Sequence, residues 1–161
     1  MKDEFVNLVN ECFKNESSQF IHNASKDHAQ VLIEKLIDFA IKKKVDIKIV
    51  SGHLTNDFYN LFNEKIATAL EAGCKVSVIV LRPLELAKNK FAETVRNHSR
   101  GSCKQIADGI NAPHFILIGD SAFRLEENHE EAKAIASFKN SHIGDILNNL
   151  YKKLDPISVA C

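Results

Sequence analysis

An α/β fold is predicted, with a mixed sheet, parallel strands in the N-terminal two thirds, an antiparallel hairpin near the C-terminus and helices on both faces. Three observations predict it. Apolar, β-branched runs alternate with amphipathic helical stretches between residues 26 and 95. The run Cys74-Lys-Val-Ser-Val-Ile-Val-Leu81 is apolar enough for a strand covered on both sides. Phe115-Ile-Leu-Ile118 is followed at once by Gly119-Asp120-Ser121 and a returning strand, too short a connection for anything but antiparallel pairing.

Each element has a local reason. Phe5, Val6, Leu8, Val9, Cys12 and Phe13 recur at helical spacing, which predicts an amphipathic helix over residues 2–14. Ser18-Gln-Phe-Ile-His22 reads as a short strand. Asp27 takes an N-cap position before Val31, Leu32, Leu36, Phe39 and Ala40, the inner face of a helix ending in Lys42-Lys43-Lys44. Those lysines favour the negative end of the helix dipole, a simpler role than phosphate binding. Ile47, Ile49 and Val50 form a strand. Asn56 or Asp57 caps the next helix, whose apolar face is Phe58, Leu61, Phe62, Ile66, Ala69 and Leu70, and Gly73 closes it. Residues 74–81 form the central strand, ended by Pro83. A helix over 84–95 exits through Asn97-His-Ser-Arg-Gly101, a short strand occupies 103–106, and 107–113 is a loop. In the return strand over 122–126, Phe123 and Leu125 face one way while Arg124 and Glu126 face the other. Residues 134–138 add a strand. Ile143, Ile146, Leu147, Leu150, Tyr151 and Leu154 mark a closing helix, and the tail after Pro156 is uncommitted.

The 161 residues, 45% hydrophobic and 26% charged, suit one α/β domain over 1–161. Lys plus Arg equals Asp plus Glu at 21 each, so no overall basic excess directs the chain to nucleic acid or an anionic membrane. With no secretory pattern at the start and no run of about 18 apolar residues, the expectation is a soluble, cytoplasmic protein without membrane association. Cys12, Cys74, Cys103 and Cys161 lack metal-ligand spacing, so buried free thiols are expected, with Cys161 exposed. Neither a glycine-rich phosphate loop nor a G-x-S-x-G elbow occurs, and no cofactor is expected. The acidic run Glu126-Glu127-Asn-His129-Glu130-Glu131 fits a solvated helix start better than a metal site.

Ligands of open α/β sheets lie beyond the carboxyl ends of strands, which presents Ser51-Gly52-His53 to whatever binds there. Gly52 permits close backbone approach. His114 precedes an apolar strand, directly after Pro113. Arg124 flanked by Glu126 and Asp120 is the pattern of an ion-pair network, and an arginine so held can clamp phosphate or carboxylate.

The succession over residues 26–154 resembles the phospholipase D-like fold. The matching pieces are Asp46-Ile-Lys-Ile-Val-Ser-Gly-His53, Glu71-Ala-Gly73, Lys75-Val-Ser-Val-Ile79, Pro113-His-Phe-Ile-Leu-Ile-Gly-Asp120 and Ala136-Ser-Phe-Lys-Asn140. The resemblance implies a histidine nucleophile that attacks phosphorus, a second histidine that protonates the leaving group, and lysines that hold phosphoryl oxygens. His114 stands for the family histidine. The lysine position is Ile116, and Asp120 comes one residue early, so the motif is degenerate. The resemblance implies His53, His114 and Asp120 as catalytic positions, with Ser51, Arg124, Glu126, Ser137 and Asn140 around the substrate. Because the family uses two such motifs and this length supplies one, it also implies a homodimer.

Three functions remain open at this stage. The first is a drifted phospholipase D-like subunit that binds phosphate or nucleic acid, or docks a protein partner. The second is an active phosphodiesterase or nuclease using His53 or His114, with Arg124 as phosphoryl clamp. The third is an interaction module without a small-molecule site.

Overall fold

The structure is a computed structural model that describes residues 2–82, 89–106, 109–128 and 130–161. Pro83, the start of the helix expected from Leu84, the first two residues of the 107–113 loop, and His129 lie outside the described residues.

Helix α1 (Lys2–Asn15) and strand β1 (Ile21–Asn23) precede α2 (Lys26–Lys43) and β2 (Ile47–Ser51). A short α3 (Asn56–Tyr59) runs through one 3-10 turn into α4 (Asn63–Glu71), then β3 (Val76–Val80), α5 (Lys90–Arg96) and β4 (Gly101–Gln105) follow. The last third holds β5 (Phe115–Ile118), β6 (Ala122–Asn128), β7 (Lys133–Ser137), α6 (Ser141–Leu154) and β8 (Val159–Ala160). These strands form one eight-stranded sheet in the order β1-β7-β6-β5-β2-β3-β4-β8. Strands β2, β3 and β4 are parallel, and all other pairs are antiparallel. The mixed sheet with helices on both faces is therefore present as the sequence predicts.

Helices α1, α2, α4 and α5 bury their apolar stripes on one face, with Leu36, Ile47, Val78, Phe91 and Ile116 in that layer. Helix α6 covers the other face through Leu147, Tyr151 and Leu154, packed on Val50, Phe115, Leu117 and Phe123. Strand β2 is thus covered on both sides, which its β-branched sequence suits. No described helix is long and apolar enough to cross a membrane.

Several local expectations shift. Ser25, not Asp27, caps α2: its backbone is extended, and its hydroxyl accepts the His28 N–H at 3.2 Å. Asp27 falls in the first turn, where an acid suits the dipole. The first short strand lies at Ile21–Asn23, a few residues later than the 18–22 reading. Strand β4 begins earlier than expected because Gly101 has no Cβ; one placed there would lie 1.8 Å from the Val95 carbonyl oxygen. Leu61, assigned to the apolar face, is half exposed, because the 3-10 turn Asn60–Phe62 rotates it outward. The acidic run after Glu126 is no helix start. It ends β6 and turns into β7, with the Asn128 side chain accepting the Glu131 N–H at 3.0 Å and Ala132 at φ +54°. The uncommitted tail closes as β8 on the edge of β4.

Candidate functional site

The site follows from strand direction. Strand β5 runs against β2, pairing Val50 with Phe115, so the carboxyl end of β2 and the amino end of β5 share one rim of the sheet. Strand β6 returns antiparallel to β5 and carries Arg124 and Glu126 to that rim. Beyond β3, Leu81 and Arg82 donate N–H groups to Ser51 and Gly52 carbonyls at 2.8 Å each, extending the parallel ladder past the strand end. Asn89 caps α5 and donates its side-chain amide to the Leu54 carbonyl, tying the start of that helix to the chain just after β2.

Two histidines sit at this rim, His53 next to Gly52 in the chain and His114 packed on the Gly52 backbone. The His114 imidazole lies on the Gly52 backbone; a Cβ at Gly52 would be 2.8 Å from Cε1 and 2.9 Å from Nε2. That close approach is what the glycine permits. His114 Nδ1 is 3.1 Å from Glu126 Oε2, and His53 Nδ1 is 3.0 Å from the Arg82 carbonyl. A carboxylate or carbonyl only accepts, so Nδ1 carries the proton in both rings.

Arg124 is 4% exposed. A guanidinium buried to that extent must be paired. Its Nη1 donates to Glu126 Oε1 at 3.3 Å, its Nε to Asn23 Oδ1 at 3.0 Å, and its Nη2 to the Ala132 carbonyl at 3.4 Å. The Asn23 side-chain amide donates to that same carbonyl. Glu126 therefore bridges a histidine and an arginine with its two oxygens. Ser51 is buried and donates to the His53 carbonyl at 2.8 Å. Tyr59 is hydrogen-bonded to Ser51, and burial pushes its hydroxyl above the ordinary tyrosine range.

A half-open cavity of about 230 Å³ sits against this cluster. Its lining comes from the end of β2 and α3 (Ser51, His53, Thr55, Phe58 and Tyr59), from β6 and the turn after it (Arg124, Glu126, Glu130 and Ala132), and from Lys26 of α2. Two cations and two carboxylates balance, so the cavity is no anion funnel. Among the described residues, no group of three or more His, Cys, Asp or Glu side chains is placed to hold a metal ion.

Ser51, His53, His114, Arg124 and Glu126 thus come together. Asp120, Ser137 and Asn140 do not join them. Asp120 is in the turn at the far end of β5; Ser137 is fully buried in β7, its hydroxyl accepting the Lys139 N–H at 3.2 Å; and Asn140 caps α6. Asp120 and Asn140 line a separate, shallow cavity of about 580 Å³ with Ser121 and Lys139. Sequence reasoning missed Asn23, Tyr59 and Ala132. Asn23 offered one signal, a polar residue two positions after Ile21 and so on the same strand face.

No family model matches the chain, and no curated protein matches it. Solved structures do. TrmBL2, described as an archaeal chromatin protein with a novel mode of DNA binding, aligns at TM-score 0.67 and 9% identity over 99% of this chain. The chain spans 61% of TrmBL2's length. Nuc from Salmonella typhimurium, a phospholipase D family member, aligns at TM-score 0.66 and 12% identity over 90% of this chain and 97% of its own. NucT from Helicobacter pylori aligns at TM-score 0.66 and 14% identity, covering 89% of this chain and all of the other (100%). The chain has a phospholipase D-like fold.

Proposed function

We propose that this chain is a phospholipase D-like binding domain in which the phosphoryl-transfer centre has become a recognition pocket. It holds a phosphate-bearing ligand of the nucleotide or nucleic-acid kind without cleaving it. One observation carries this reading: the Glu126 carboxylate engages both His114 and Arg124.

Phosphoryl transfer relies on cations aimed at the charge that develops on the phosphoryl oxygens. Here the nearest cation is already neutralised, and the position that resembles the family lysine is Ile116, buried in the helix-covered core. A carboxylate about 4 Å from a phosphoryl oxygen costs about 4 kcal/mol at an effective dielectric of about 20. At 1.36 kcal/mol per decade, that is roughly a thousandfold in rate. Binding tolerates this arrangement because a ligand can place its phosphate toward Lys26 and His53, away from Glu126, while a base stacks on the Phe58 and Tyr59 wall. The DNA-binding and phospholipase D neighbours support this ligand class.

Fluorescence anisotropy with a short single-stranded oligonucleotide, run beside turnover of bis-p-nitrophenyl phosphate, tests the proposal. We expect salt-sensitive binding, weakened at least tenfold by Lys26→Ala combined with His53→Ala, and no turnover. Turnover abolished by His114→Ala would replace this reading with the hydrolytic one, which draws on the orientation of His114 by Glu126. A homodimer, the expectation from a single histidine motif, is tested by sedimentation of the same sample.

A further inference from the structure

The edge strand β8 brings two thiols together far from the pocket. Its antiparallel register with β4 pairs Lys104 with Ala160 and Gln105 with Val159, so the next facing pair is Cys103 and Cys161. The backbone bears this out: the Cys161 N–H donates to the Cys103 carbonyl at 3.0 Å. Facing residues of a hydrogen-bonded antiparallel pair have Cα atoms about 5.5 Å apart, inside the span a disulfide bridges. The two sulfurs are 3.1 Å apart.

We propose that Cys103 and Cys161 form a thiol–disulfide modification site, closed by a small-molecule disulfide such as oxidised glutathione, that staples β8 to the edge of the sheet. The two thiols differ in the way such a reaction needs. Cys161 is partly exposed, whereas Cys103 is 5% exposed beneath it. The hydrogen bond from Cys103 holds the Cys161 thiol below the ordinary range, aided by Arg96, so the first thiolate forms on the accessible sulfur. The same contact, with burial, pushes Cys103 up.

The reaction balances. The Cys161 thiolate attacks one sulfur of the glutathione disulfide, breaking that S–S bond and releasing one glutathione thiolate. Cys103 then gives up its proton, and its sulfur displaces the second glutathione from Cys161, forming the intramolecular S–S bond. Two protein thiols are oxidised and one glutathione disulfide is reduced to two thiols. Cys12 and Cys74 stand outside this chemistry: both are buried, one hydrogen-bonded to Ser17 and the other donating to the Ala40 carbonyl at 3.4 Å.

Incubating the reduced chain with oxidised glutathione and counting thiols in denaturant tests the site. Of the four cysteines, two should remain reactive, with a mass loss of two hydrogens. Peptide mapping of the unsubstituted chain should join the Cys103 and Cys161 peptides, and Cys103→Ser should instead retain glutathione on Cys161. Four remaining thiols, a lasting glutathione adduct on the unsubstituted chain, or a bridge to Cys12 or Cys74 would each overturn the proposal.

Discussion

The two rims of the sheet are built from the same strands and behave as opposites. At the rim where β2 ends, polar side chains converge: His114, Glu126, Arg124 and Asn23 form one hydrogen-bonded chain, and Ser51 bonds to the His53 carbonyl on the adjoining turn. At the rim where β5 ends, Ser137 and Asn140 serve the backbone, and Asp120 is exposed in the turn. Asn140 closes the helix start by accepting the Ile143 N–H at 3.0 Å, and Ser137 accepts a single main-chain N–H. Strand direction is the cause. His114 and Asp120 are close in sequence but flank β5 at its opposite ends. His114, remote in sequence from His53, packs on the Gly52 backbone beside it.

Substitution should separate the rims. The largest effect belongs to Arg124→Ala, which strips Asn23, Glu126 and the Ala132 carbonyl of a buried charged partner. A loss of about 3–5 kcal/mol in urea unfolding is expected. At the other rim, Asp120→Ala is exposed and should stay within about 0.5 kcal/mol. Equal losses would erase the distinction.

Two glycines sharpen it. A Cβ at Gly144 would lie 1.8 Å from the Asp120 carbonyl, a main-chain atom that cannot swing away. Gly144→Ala should therefore cost about 1–3 kcal/mol by overpacking. At Gly52 the neighbour is the His114 ring, which can rotate. Gly52→Ala should cost less stability but break the His114–Glu126 contact, read as a shifted imidazole resonance and at least tenfold weaker ligand binding.

The pH response is smaller. The Tyr59 hydroxyl is raised in the fold above the unfolded value near 10, mainly by burial. The neutral form is favoured in the fold, so this contribution is complete below pH 10 and is lost as pH rises from there through the folded value. Tyr59→Phe should flatten the alkaline limb of a stability–pH curve. Tyr151, raised by burial between α6 and the sheet, supplies the part that persists in that variant. Ser25→Ala, at the α2 cap next to Lys26 of the pocket lining, should cost about 1 kcal/mol in urea unfolding.

The sheet was legible because its signals are local. The β-branched runs of β2, β3 and β5, and the short turn between β5 and β6, each constrain a neighbour by chain connectivity alone. Half of the site was legible for the same reason: His53 ends a strand, and Arg124 and Glu126 share a strand face. What escaped depends on long-range pairing. Asn23 reaches Arg124 because β1 adds to β7 at the sheet edge, with Ile21 facing Ala136, a register no local pattern encodes. Ser137 and Asn140 followed from the resemblance, and the family pattern carries no information about which rim receives them.

The Ala132 carbonyl, gripped by both Asn23 and Arg124, belongs to the main chain. Exchange of the residue 132 side chain leaves that acceptor in existence, so point substitution there is a poor way to dismantle the pocket floor. Inserting or deleting a residue between β6 and β7 would move it directly. The length of one hairpin, more than the identity of its residues, is thus the quantity that selection would have to guard.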